Sequence, residues 1–318
     1  MPTRPIVLDC DPGHDDALAI VLALARPELQ VLGITTVAGN VPLQSTTLNA
    51  LRVLALLGRS DVPVAAGAER PLVRPPEDAV ITHGASGLEG AELPDPIAEP
   101  RPEGALAFMR ATLETAAVPV TLVPTGPLTN IATLLLAHPE LRDRIESICL
   151  MGGAIREGNW TPAAEFNIWV DPEAARIVFR SGLPITMIGI DVTHQAIFGE
   201  PDVARLEALG TPVAAVFADL LRFFARFHAE RYGWSGSPIH DAVAVAHLAV
   251  PGLVETRPYR VDVETTGELT RGRTVVDDRG VPGPPPNADV AVAIDRARFI
   301  DLLIDAVATV GSRDVPRP

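Results

Sequence analysis

Ile6-Val7-Leu8-Asp9-Cys10-Asp11-Pro12-Gly13-His14-Asp15-Asp16, running on into the apolar stretch Ala17 to Ala25, decides how the rest of the chain is read. The first three residues read as a short buried strand and the later stretch as a buried helix, with Asp-Pro-Gly turning between them. Four carboxylates therefore gather where a strand's carboxyl end meets a helix's amino end, the place where α/β proteins bind ligands. Like charges this close raise one another's pKa unless a cation or a dense set of donors keeps them ionised, and a hard divalent ion such as Ca²⁺ or Mg²⁺ does so well. Helix capping by Asp15 and Asp16, with Asp9 and Asp11 decorating the turn, would account for two acids. It accounts poorly for four flanked only by apolar sequence.

Composition narrows the function. The chain has 318 residues, 47% of them hydrophobic and evenly spread, which is enough for one large core and predicts a single domain over 1–318. A formal net charge of -14 argues against nucleic acid or an anionic membrane as partner and favours a small uncharged or cationic ligand. Cys10 and Cys149 each lie in an apolar run and read as buried thiols of a reducing compartment. With no basic-then-apolar leader and no bilayer-length apolar span, a cytoplasmic location is expected. All 26 basic residues are arginine. Without lysine, Schiff-base chemistry and P-loop phosphate binding fall away. An aspartate-nucleophile phosphatase, which Asp9-Cys10-Asp11 resembles in spacing, normally needs a lysine too.

Further strand-like and helical runs alternate as in βαβ units, predicting a mostly parallel, twisted sheet flanked by helices. Strands are expected at 31–37, 62–66, 118–123, 147–150 and 185–190, and a helix at 44–57. Their ends carry Ala38-Gly39-Asn40, Pro124-Thr125-Gly126, Met151-Gly152-Gly153 and Asp191, which parallel strands would collect at one edge together with the acids. The Pro-, Glu- and Gly-rich segment near 73–103 and a second segment near 228–240 read as active-site loops. Two later segments add polar groups: Asn159 with Ala164-Glu165-Phe166-Asn167, and His240-Asp241 at the mouth of an apolar helix.

Taken together, Asp9 to Ala17, Thr36 to Asn40, Val123 to Gly126, Met151 to Gly153, Ala164 to Asn167 and His240 to Ala242 resemble the inosine-uridine nucleoside hydrolases in order and spacing over nearly the whole chain. The resemblance implies a single α/β domain with one Ca²⁺ at the carboxyl ends of the strands and hydrolysis of the N-glycosidic bond of ribonucleosides to ribose and free base. It implies that Asp11, Asp16 and Asp241 give carboxylate oxygens to Ca²⁺ and Thr125 its backbone carbonyl. Asp15, Asn40 and Asn167 would hold the ribose hydroxyls, with Asn159 and Glu165 toward the 5′ side and Met151 lining the ribose pocket. A homo-oligomer, dimer or tetramer, is also implied.

The chemistry fits this inventory. An oxocarbenium-like ribosyl cation is stabilised by crowded carboxylates and amide oxygens. Asp11 is the expected base for the attacking water, His240 the expected acid for the leaving group, and Asp9 a structural residue of the turn. For the nucleobase, His83, His228, Tyr232 and Trp234 are candidate contacts, although Phe224, His228 and Tyr232 also recur as on an ordinary amphipathic helix. The same oxygens could serve a Ca²⁺-dependent nucleoside or ribose binder without turnover. Retention of Asp11 with His240 favours the enzyme.

Overall fold

A computed structural model describes residues 3–311. The chain begins β1 (Arg4–Cys10), α1 (His14–Ala25), β2 (Leu29–Thr36), α2 (Leu43–Leu56), β3 (Val64–Ala66), α3 (Val80–His83), α4 (Gly104–Thr115), β4 (Val120–Pro124), α5 (Thr129–Ala137) and β5 (Ile145–Met151). It continues through α6 (Phe166–Val170), α7 (Pro172–Phe179), β6 (Ile185–Ile188), α8 (Ile190–Thr193), β7 (Ile197–Gly199), α9 (Glu200–Glu207), α10 (Pro212–Tyr232) and β8 (Gly236–Pro238). It ends with α11 (Asp241–Ala249), β9 (Val254–Val263), β10 (Thr274–Asp277), β11 (Ala288–Ile294) and α12 (Arg296–Gly311).

Nine strands form one sheet in the order β10-β9-β11-β6-β5-β4-β1-β2-β3, with β7 and β8 making a separate two-stranded ribbon. All neighbours from β11 to β3 run parallel, and β9 and β10 add an antiparallel flank. From β1 the chain winds outward through β2 and β3, then returns to the other side of β1 to lay down β4, β5 and β6. The order therefore reverses between β1 and β4, and a crevice opens at such a switch point. Asp11 follows β1 and Thr125 follows β4, so both reach that crevice.

Helix α1 is buried from His14 to Leu24. A helix with no exposed face has no use for amphipathic patterning, which is why Ala17 to Ala25 is apolar all round. Its acidic amino end is the only part that meets the crevice.

The single α/β domain and mostly parallel sheet agree with expectation, and several details do not. The strand expected over 185–190 stops at Ile188, and Asp191 lies in the helical turn α8. The segment near 228–240 is not one loop: α10 runs through Tyr232, where Gly233 closes it in the left-handed conformation at φ 69°, and β8 follows. The segment near 73–103 is largely irregular but carries the turn α3. Asp9 is not in the turn at all; it is the penultimate residue of β1 and points into the interior. The flank from β9 to β11 was not foreseen, because Pro258 and two arginines, Arg257 and Arg260, interrupt the apolar alternation of β9. No helix among the described residues is long and apolar enough to cross a membrane.

Candidate active site

The acid motif is held from beneath. Asp9 accepts the Thr35 hydroxyl at 2.5 Å and the Asn130 amide at 2.8 Å, tying β1 to β2 and α5. Burial pushes its carboxyl up to about 7 against those two bonds. Asn130 also donates to the Thr36 carbonyl and accepts the Ala68 N–H, so one amide joins three segments.

Above this floor the other acids face one another. Oxygens of Asp15, Asp16 and Asp241 all lie within 4.8 Å of each other, and all three side chains are buried. Asp16 accepts from the Thr125 hydroxyl at 2.8 Å, from the Gly13 N–H at 3.0 Å and from the Asn40 amide at 3.3 Å. Asp11 gives one oxygen to the Asn40 N–H at 2.7 Å, while its buried Oδ1 has no hydrogen-bond partner. Burial, then the charge of Asp16, pushes the Asp15 carboxyl up to about 7; burial pushes Asp16 up to about 6 and, first among several causes, raises Asp11 and Asp241 well above the carboxylate range.

Room for Asp11 is made by two glycines. A Cβ at Gly39 would sit 2.1 Å from Asp11 Oδ2, and one at Gly126 would sit 2.5 Å from Asp11 Oδ1. Any larger residue at either strand end would evict that carboxylate. The Thr125 carbonyl accepts the Asn167 amide at 2.7 Å, and the same amide reaches the Met151 carbonyl at 3.2 Å, so Asn167 bridges the ends of β4 and β5.

These groups floor a cavity of about 260 Å³. Asp15, Asn40, Thr125, Met151, Asn159, Glu165, Asn167, His240 and Asp241 line it, and so do His83, His228, Tyr232 and Trp234. Asp11 and Asp16 lie just behind the lining. Glu165 and Asn159 are already engaged: Glu165 caps α6, accepting from the Gly153, Asn167 and Ile168 N–H groups, and Asn159 accepts the Phe166 N–H.

Part of the wall is built from rings. His83 and His14 meet Nδ1 to Nδ1 at 3.1 Å, and His14 Nε2 lies 2.8 Å from the Glu89 carbonyl. Phe224 packs flat against both imidazoles, with centroids 5.1 Å away. Trp234 lies 4.8 Å from the Tyr232 ring and 5.8 Å from His228, near parallel to both. His228 Nδ1 lies 3.1 Å from the Phe224 carbonyl, an acceptor only, so Nδ1 carries the proton and Nε2 is left as an acceptor. Burial pushes His228 and His14 down to about 4. The helical spacing of Phe224, His228 and Tyr232 thus serves packing and cavity at once.

A cavity with a carboxylate floor at a switch point and a partly aromatic wall suits a polyol attached to a planar group. Residues 6–301 match the family described as "Inosine-uridine preferring nucleoside hydrolase". The chain belongs to that family. It is a ribonucleoside hydrolase, acting on N-glycosyl bonds. Similar curated proteins include the pyrimidine-specific ribonucleoside hydrolase RihA of Shewanella woodyi, 54% identical over 308 residues, 96% of this chain and 99% of that one. RihA of Escherichia coli is 53% identical over 302 residues, 95% and 97% of the two chains. Among solved structures, the purine-preferring ribonucleoside hydrolase from Gardnerella vaginalis superposes with a TM-score of 0.91 at 36% identity, covering 97% of this chain and 99% of that one.

The hydrolase's cavity also holds residues that sequence reasoning passed over. His194, Phe227, Arg231 and Trp160 line it. His194 follows Asp191 by three residues, so reading one turn past the fifth strand would have found it. Nothing local marks His14 as a partner of His83, or Asn130 as a partner of Asp9.

Proposed function

We propose that this hydrolase is Ca²⁺-dependent and prefers pyrimidine ribonucleosides, releasing ribose and uracil or cytosine. The observation carrying the metal is the cluster of Asp15, Asp16 and Asp241 oxygens beside the unpartnered Asp11 Oδ1. An all-oxygen set of carboxylates with the Thr125 carbonyl in reach is hard-cation chemistry, and buried carboxylates driven up in pKa by each other are what a cation relieves. Asp11, Asp16, Asp241 and Thr125 would hold the ion, with Asp15 at its edge toward the ribose diol. A bound Ca²⁺ supplies the positive field that aligns the diol and makes a neighbouring water more acidic.

The chain's own groups do the rest. Asp11, with one oxygen anchored by Asn40 and the other free, takes the proton of the attacking water. Asn40 and Asn167 orient the ribose hydroxyls, and the surrounding carbonyls and carboxylates stabilise the ribosyl cation. His240 meets the departing base as donor. The pyrimidine preference is supported by the names of the relatives at 52–54% identity over 95–96% of the chain, against a purine-preferring structure at 36%. Two buried unpaired cysteines support a reducing, cytoplasmic setting, and the resemblance supports a homo-oligomer.

The test is reducing-sugar release from uridine, cytidine, inosine and guanosine, before and after exhaustive chelation. Loss of turnover on chelation with recovery on Ca²⁺, and larger kcat/KM for uridine and cytidine, are expected. Full activity without metal, or a purine preference, would refute the corresponding half.

A further inference from the structure

The ribbon of β7 and β8 brings two distant segments together. The Ile239 N–H donates to the Ala196 carbonyl at 3.1 Å, and Ile197 pairs with Pro238. This sets the turn α8 beside His240, and the Thr193 hydroxyl lies 2.6 Å from His240 Nδ1. Thr193 is fully buried. Among the described residues its hydroxyl has no other hydrogen-bond partner, and His240 Nε2 has none. The His240 backbone N–H is anchored separately, on Asp15 at 3.3 Å.

We propose that Thr193 is a positioning residue for catalysis: its hydroxyl donates to His240 Nδ1, so the neutral ring keeps its proton on Nε2 and offers it to the departing base as a hydrogen bond, the base taking its own proton from water after the bond breaks. The inference rests on the reading of His240 as the donor to that base. The alternative tautomer, with Nδ1–H donating to Thr193, would leave the threonine's own O–H buried without an acceptor. An unmade buried donor is penalised enough to bias the tautomers by about tenfold or more. The same bond locks ring rotation, so the donor is aimed before substrate arrives.

Three variants, Thr193→Val, Thr193→Ser and His240→Ala, separate the possibilities when assayed on uridine and on 4-nitrophenyl riboside, whose leaving group departs as a stable anion unaided. Thr193→Val keeps the shape and removes the hydroxyl. It is expected to lower kcat for uridine by about ten- to a hundredfold, to leave KM and nitrophenyl riboside turnover within about twofold, and to be rescued by Thr193→Ser. Equal losses on both substrates, or none on uridine, would overturn the proposal. If His240→Ala itself spares uridine, the reading of His240 fails first and is seen to do so. Should Thr193→Val not fold, ¹⁵N imidazole shifts of the wild-type enzyme, with His240 assigned by difference, remain decisive: an Nε2–H ring is expected, and an Nδ1–H ring would overturn the proposal.

Discussion

The carboxylates and the rings around the cavity are held by different physics. Around the carboxylates each group is fixed by directional bonds: Asp16 by three donors, Asp11 by Asn40, Asn167 by two carbonyls, and Asp9 underneath by Thr35 and Asn130. Among the rings, His83 is hydrogen-bonded to His14 and His228 to the Phe224 carbonyl, while Tyr232 and Trp234 rest on ring packing, the bond from the Tyr232 hydroxyl to the Asn159 carbonyl at 3.5 Å being too long to fix it. Directional networks tolerate almost no change, because a lost partner leaves a buried polar group unmet. Packed rings tolerate exchange of shape. On the proposed reading, ribose meets the directional network and the base meets the rings, so an exchange of ring shapes would alter base preference without disturbing the ribose contacts.

Asp11→Asn strikes the directional network hardest. Turnover is expected to fall by roughly two to four orders of magnitude, with ribose still binding as an inhibitor; near wild-type turnover would remove Asp11 as the base. Next, Asn130→Ala touches no part of the cavity but strips a partner from Asp9, from the Thr36 carbonyl and from the Ala68 N–H. A destabilisation of about 2–4 kcal/mol in urea unfolding is expected, and a loss under about 0.5 kcal/mol, the level of an ordinary surface change, would mean that the floor is not held as described.

Among the rings, Tyr232→Ala should change the ratio of uridine to inosine kcat/KM by roughly tenfold, the scale of one pocket contact, without altering inhibition by ribose. An equal loss on both nucleosides would show that the rings are as rigid as the floor. The smallest effect belongs to Glu77, which accepts from the indoles of Trp160 and Trp169 and from Arg271, and so holds the segment leading to α3. Its bonds are exposed, so Glu77→Gln should raise KM by no more than about fivefold, read from uridine saturation curves.

Much of the carboxylate site is legible in the chain. A strand, a turn and a buried helix are local patterns, and acids packed between apolar runs demand a cation or donors wherever the chain goes; the strand ends at Asn40, Thr125 and Met151 follow once the sheet is taken as parallel. Tertiary structure alone decides the rest. Asp15 meets His240 across 225 residues, Asn130 meets Asp9 across 121, and Thr193 meets His240 only because the β7–β8 ribbon draws them together. Local periodicity carries no information about such pairs. They depend on the strand order β4-β1-β2 and on how rings pack at the end of α10, which are properties of the whole core and belong to no single segment.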